Sequence, residues 1–384
     1  MKPQNRLREL DFLRGMAIIL VLFRHQEVSV FTTRMGWIGV DLFFVLSGFL
    51  VSGLLFREYL KYGDIKPARF LIRRGFKIYP IYYLTYPIYF IPKFYNGRLD
   101  FTGFAADMTF LQNYIWGWGY AYSASWSLAI EEHFYFGLSL FLWLAFKNNW
   151  IKLKVAADSK QLSQMEILIP SIMLFCLTLR FISNTLYPFE MAKNTTMTHL
   201  RIDSLLAGVL VSYLYHFRLD YLKSFYEKYK YPSFILAAVL LSFTPFLDSI
   251  TSFFVKTIGF TCLFISFSII LINFLLNERI NDRLNGLFTA PVVRLISRIG
   301  FCSYSIYIIH TAVNKIHFSN DYLTFLITST ISVLCGIIMT NYIEGFFLNI
   351  RDKYYPNRRA TSMERQQIEL HTTHNTQLTT DSKN

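Results

Sequence analysis

The stretch RGMAIILVLFRHQEV, residues 14–28, starts as an apolar run and then sets Arg24, His25, Gln26 and Glu27 side by side. His25 lies eleven residues after Arg14. If Arg14 stands at a membrane interface, a continuous helix carries His25 about 16 Å deeper. That is near the middle of a roughly 30 Å hydrocarbon core. Eleven residues are close to three turns, so both side chains share one helix face. Histidine is the cheapest titratable group to bury there, because it is neutral for much of its time near pH 7. Ionisable groups at such depth face a protein interior or a water-filled cavity. The plainer alternative is a histidine bonded to a neighbouring helix.

Other ionisable residues sit in equally apolar surroundings. Asp41 lies in GWIGVDLFFVLSGFL, Glu131 and Glu132 in SWSLAIEEHFYF, Arg201 and Asp203 in HLRIDSLLAGVLV, and His310 in YSIYIIHTAV. Together they point to a polar cavity inside a helical bundle. Singly, each keeps a structural reading: Arg201 and Asp203 pair, Ser47–Gly48 permits a kink or close helix packing, and His310 is a packing histidine. A second cluster, Arg69, Arg73, Arg74 and Lys77, fills RFLIRRGFKIYPIYY. At helical spacing, Arg73 and Arg74 each share a face with Lys77. Arginine forks suit phosphate. Positive-inside charge or binding of anionic lipid explains the same residues.

The elements that must position these residues are membrane helices. The 384-residue chain is 53% hydrophobic and only 16% charged, with 38 Phe and 25 Tyr. A soluble domain carries about 25% charge. Long uncharged runs such as FFVLSGFLVSGLLF and FILAAVLLSFTPFL recur, and no alternating barrel pattern does. The expected fold is all-α, a polytopic bundle of about ten transmembrane helices near 14–31, 36–56, 78–94, 126–146, 166–187, 199–216, 233–249, 252–277, 300–317 and 322–344. The first is read as a retained helix, not a cleaved signal.

Lys and Arg alternate across these spans. One set of connections carries Lys2, Arg6, Arg8, the 57–77 cluster, Lys147, Lys152, Lys154, Lys160, Arg218, Lys223, Lys228, Lys230, Arg279, Arg283, Arg294 and Arg298. The other carries Arg34, Lys93, Arg98, Lys193, Lys256 and Lys315. Both termini are therefore expected in the cytoplasm. The net charge of +13 then reflects orientation and membrane-lipid contact, not a nucleic-acid partner. The four cysteines, Cys176, Cys262, Cys302 and Cys335, lie in apolar runs without a CxxC or Cys/His cluster. Neither a disulfide framework nor a zinc site is supported. NYIWGWGYAYSASW, in an outward connection, reads as an interfacial aromatic belt or, alternatively, as a stacking platform for a sugar. Residues 1–345 form the membrane domain; 346–384 read as a cytoplasmic polar tail, largely disordered from Asn357.

As an ordered set the motifs resemble the acyltransferase-3 family of integral membrane proteins, over about residues 6 to 345. ELDFLRGMAIILVLFRH is similar to its first-helix motif, an arginine, ten residues and a histidine. GVDLFFVLSGFL resembles its second-helix signature, RRGFKIYPIYY its Arg-x-x-Arg segment, and SWSLAIEEHFYF its Trp-Ser-Leu…Glu…Phe-Tyr segment. LRIDSLLAG and YSIYIIH resemble two later, weaker motifs. One departure stands out: Lys77 replaces the second arginine of Arg-x-x-Arg, keeping the charge and losing the bidentate fork.

The resemblance implies O-acyl transfer from a cytosolic acyl-CoA, most often acetyl-CoA, to an outward-facing carbohydrate such as a surface polysaccharide, lipopolysaccharide sugar or exopolysaccharide. It implies a prokaryotic inner membrane and no bound cofactor or metal. Some relatives carry an extracytoplasmic esterase-like domain, so a chain of this length is expected to work alone or with a separate partner there. His25 then serves as general base on the acceptor hydroxyl, or takes the acyl group first. Glu131 orients the imidazole or binds the acceptor. Arg14 holds donor phosphate or steadies the thioester oxyanion. Asp11 positions Arg14, or simply sits well at a helix N-terminus. Arg73, Arg74 and Lys77 contact CoA phosphate, while Asp41, Ser47, Arg201, Asp203 and His310 line the cavity. Two other classes stay open: a transporter of a glycan, lipid or proton using the same charges, and a non-catalytic scaffold.

Overall fold

Backbone polar groups in lipid must be satisfied within their own segment, so apolar runs of this length fold as helices. The computed structural model describes residues 8–26, 29–151, 162–356 and 358, and every regular element among them is helical. Lys2, Arg6, Glu27, Lys152, Lys154, Lys160 and the expected disorder of 359–384 lie outside the described residues.

The chain forms α1 (Arg8–Arg24), α2 (Val30–Gly36), α3 (Ile38–Tyr62), α4 (Pro67–Tyr95), α5 (Phe101–Thr109) and α6 (Gln112–Ile115). It continues with α7 (Trp126–Lys147), α8 (Gln164–Leu186), α9 (Met191–Thr196), α10 (Thr198–Phe217), α11 (Leu219–Leu241) and α12 (Phe260–Leu276). Last come α13 (Ile280–Phe288), α14 (Ala290–Phe301), α15 (Ser303–Val313), α16 (Asp321–Ile338) and α17 (Gly345–Tyr354). Wide π turns precede α12 (Val255–Gly259) and join α16 to α17 (Met339–Glu344). The sequence-based boundary at 345/346 thus falls inside a continuous helical run. Gly63, at φ 74°, closes α3 by returning its N–H to the Tyr59 carbonyl at 2.8 Å, a left-handed stop that suits glycine.

By length and composition, five helical segments can cross a membrane: Val30–Tyr62, Ser123–Lys147, Gln164–Leu186, Val255–Leu276 and Asp321–Tyr354. Ala290–Phe301 with Ser303–Val313, bent by 79°, makes a sixth. The sequence reading of about ten also counts α1, α4, α10 and α11. These are shorter or more polar: α1 has 17 residues, and the first three turns of α4 carry four cations.

Helices meet where a side chain is missing. A Cβ on Gly48 would stand 1.9 Å from the Leu205 carbonyl oxygen, and one on Gly208 2.1 Å from that of Val45. That contact lays α3 against α10, so Ser47–Gly48 serves close packing. Gly15 and Gly300 do the same for α1 and α14, at Ile296 and Asp11. Beside these contacts runs a buried ionic lattice. Arg201 on α10 donates to Asp41 on α3 at 2.6 Å and to the Thr195 carbonyl at 3.0 Å. Asp203 receives Arg180 of α8 at 2.5 Å, and Arg180 also reaches Thr261 on α12 at 2.7 Å. The Arg201 guanidinium lies 3.6 Å from the Phe260 ring centroid. Each charge of this lattice has a partner, as burial demands.

Candidate active site

Between α1, α3, α4, α7 and α15 lies a cavity of about 150 Å³, lined by Arg14, Ser47, Arg74, Lys77, Glu131, Tyr304 and Tyr307 among others. Glu131 is held from both sides. Ser47 donates to one of its oxygens at 2.6 Å and Tyr135 to the other at 2.8 Å. Arg74 in turn donates to the Tyr135 hydroxyl at 2.7 Å and rests over its ring, 4.5 Å from the centroid. Lys77 Nζ lies 3.6 Å from Glu344 Oε1, a carboxylate delivered by the π turn after α16. Arg14 makes no hydrogen bond or ion pair among the described residues. Its donors and the lone Nε of Arg74 suit an anionic ligand such as phosphate or a thioester oxyanion.

Tyr307 forms the cavity wall towards the far end of α1. Its hydroxyl donates to the Ala124 carbonyl at 3.0 Å and shares a 2.7 Å hydrogen bond with Ser127. Next to Tyr307 stand two histidines. The His310 ring is 5.4 Å from the Tyr307 ring and 4.8 Å from the His25 ring, edge to face at 68°. His310 is fully buried; His25 is exposed.

The structure alters several sequence-based placements. α1 ends at Arg24, so His25 follows the helix rather than sitting inside it, with Nδ1 3.0 Å from the Val21 carbonyl. The mid-bilayer estimate took Arg14 to be interfacial; Arg14 instead lines the interior cavity, which moves His25 towards the opposite end of the bundle. The two do not meet in one pocket. Asp11 is buried one turn before Arg14. Arg73 is tied to α17 and does not line the cavity: it pairs with Asp352 at 3.1 Å and donates to the Tyr355 carbonyl, while Arg69 donates to that of Pro356. Arg201 and Asp203 do not pair with each other, and with Asp41 they belong to the ionic lattice.

Sequence reasoning missed Arg180, although an arginine amid the apolar 166–187 run is itself a signal. Glu344, Tyr135 and Tyr307 gave none, since tyrosine is abundant throughout and Glu344 closes its segment. In the aromatic connection, Asp107 accepts the backbone N–H of Tyr120 at 2.9 Å and of Ala121 at 2.8 Å. Among the described residues no group of three or more His, Cys, Asp or Glu is placed to hold a metal ion.

A helical membrane protein with a cationic interior cavity is the class these features define. The chain belongs to the acyltransferase-3 family: the profile described as an acyltransferase domain matches residues 7–343. The peptidoglycan O-acetyltransferase of Listeria monocytogenes is 30% identical over 37% of this chain and 25% of its own length. A candidate membrane-bound transacylase of Komagataeibacter xylinus is 38% identical over 20% of this chain and 18% of its own. A candidate O-acetyltransferase of Staphylococcus aureus is 38% identical over 21% and 13%. The chain thus matches a quarter or less of the length of these relatives. No solved structure matches it.

Proposed function

We propose that this chain is an integral membrane O-acetyltransferase that moves an acetyl group from acetyl-CoA to a hydroxyl of a carbohydrate on the outer side of a bacterial inner membrane. Residues 1–345 are the working unit, spanning ten times with both termini in the cytoplasm. The observation that carries the reading is a cationic cavity and a histidine pair that share one neighbouring side chain. Tyr307 lines the cavity that bears Arg14, Arg74 and Lys77, and its ring is 5.4 Å from that of His310, which in turn is 4.8 Å from that of His25. Cations suit the phosphates of a cytosolic CoA; an exposed imidazole suits an alcohol arriving from outside.

His25 acts as general base. A carbonyl can only accept, so the contact of Nδ1 with the Val21 oxygen fixes the proton on Nδ1 and leaves Nε2 with its lone pair. The acceptor hydroxyl gives its proton to Nε2 and attacks the thioester carbonyl. An ester C–O bond forms, the C–S bond breaks, and the CoA thiolate leaves with the proton returned by the imidazolium. Arg14, which lines the cavity and not the His25 pocket, holds a donor phosphate. Arg74 and Lys77 hold phosphate, while Arg73 is occupied by Asp352.

The test uses membranes supplied with acetyl-CoA labelled in the acetyl group. Label should pass to glycan, and His25→Ala or His25→Gln should lower the rate by about 10²–10⁴-fold, the usual worth of acid–base help. Full transfer by folded variants removes His25 from the mechanism. A transporter would leave every acceptor unlabelled.

A further inference from the structure

His310 has no role in the step just described, yet its surroundings are unusual. It is fully buried. Its Nδ1 is 2.6 Å from the Tyr307 carbonyl. A carbonyl offers no proton, so Nδ1 carries one and, in the neutral ring, Nε2 is a bare acceptor. That Nε2 is buried and has no hydrogen-bond partner among the described residues. Buried acceptors are satisfied in most native structures, and an unsatisfied one carries a standing cost. His25 has the same tautomer, fixed by the same kind of backbone contact at 3.0 Å. Two imidazoles, each with its proton tied to its own chain and its other nitrogen open, therefore stand edge to face at 4.8 Å.

We propose that His310 is a positioning residue for the reaction, its ring with the bare Nε2 stabilising the positive charge that His25 gains when it takes the proton of the acceptor hydroxyl. Before the step both rings are neutral, and neither offers the other an N–H at Nε2. After it, His25 is an imidazolium whose new Nε2–H points back at the acceptor oxygen, and the neutral ring of His310, with its unpaired nitrogen lone pair, stands 4.8 Å from that new charge. The charge exists only once the proton has moved, so the attraction strengthens from ground state towards transition state. Interactions of that kind raise turnover without tightening substrate binding. No bond is made to His310, and the proton goes back through His25 to the departing thiolate. The anchor of Nδ1 to Tyr307 also ties the acceptor to the wall of the donor cavity.

The inference rests on the acetyltransferase reading, and the experiment separates the two. Membranes holding wild type, His25→Ala, His310→Asn or His310→Gln are given labelled acetyl-CoA, and label on endogenous glycan is followed. Asn places an amide N–H where Nδ1 stood, keeping the bond to Tyr307 while removing the Nε2 acceptor. Gln reaches further and restores an acceptor near the Nε2 position. Expected are a loss of about 10²-fold in kcat for His310→Asn, the lower end of acid–base help, an unchanged KM for acetyl-CoA, and partial recovery in His310→Gln. His25→Ala inactive with His310→Asn at wild-type turnover overturns this inference and leaves the function standing. Full activity in His25→Ala overturns both. A drop in His310→Asn that comes with a lower melting temperature or a raised KM, and that Gln does not relieve, makes His310 a packing residue and also overturns the proposal.

Discussion

Arg73 and Arg74 are neighbours in sequence and opposites in what holds them. Arg74 reaches into the cavity through Tyr135; Arg73 turns to Asp352 and the chain after α17. Spacing puts both on faces shared with Lys77, and nothing in the residue string says how α4 is rolled about its axis. That is settled by α7 and α17 on either side, far away in sequence. Arg14, Glu131, Arg74 and Lys77 were legible as cavity lining because charge in an apolar run must have somewhere to go. Arg73 is engaged by Asp352, and the Asp41–Arg201 pair was taken for cavity lining, because the partners of both lie on helices that sequence spacing cannot bring together. The expected outcome is a split. Arg74→Ala should raise KM for acetyl-CoA about tenfold or more, since a hydrogen bond to a charged group is worth about 1.5–3 kcal/mol. Arg73→Ala should leave KM unchanged. Equal rises in both would return Arg73 to the donor site; steady-state titration of acetyl-CoA decides.

Helices here are defined by what they lack at the contacts. Hydropathy finds segments rich in Phe and Leu, which is why Val255–Leu276 and Gln164–Leu186 stand out. It passes over α1, α4 and α10, the helices that carry interior charges: α1 has only 17 residues, and the polar residues of α4 and α10 lower their apolar score. Their existence was legible from the motifs; their ends were not, and the stop of α1 at Arg24 shifts His25 out of the helix. The α3–α10 seam gives a test at this scale. Gly48→Leu forces a side chain into backbone 1.9 Å from where its Cβ would lie, and overpacking costs typically about 1–3 kcal/mol. The purified protein in detergent should melt several degrees lower and lose activity. Gly137 on α7 has open space around a built Cβ, so Gly137→Ala should keep both. Comparable losses in the two variants would mean that glycine content, not the seam, governs stability.

The direction of the helices fixes what the whole molecule can be. Phe44 meets Trp126, Ser47 meets Glu131 and Tyr59 meets Phe146, so α3 and α7 run the same way. Tyr79 meets Glu132 and Arg74 meets Tyr135, so α4 runs against α7. A chain that passes down α3 and down α7 has to return between them, and α4 is the long helix that does so, despite its cations and three prolines. By the same logic α3 and α10 are parallel, since Gly48 faces Leu205 and Gly53 faces Ser212. An odd number of crossings therefore separates them, and α4, α7 and α8 supply three. This parity agrees with the alternation of Lys and Arg, a signal that owes nothing to packing. Single cysteines in a background with Cys176, Cys262, Cys302 and Cys335 replaced by alanine read the orientation directly. Asn96→Cys, in the exposed connection after α4, should react with a membrane-impermeant maleimide on intact cells. Lys223→Cys, exposed on α11, should react only after the membrane is opened. Labelling of both from outside would break the proposed ten-span arrangement, and with it the proposed placement of the cationic cavity toward cytosolic CoA.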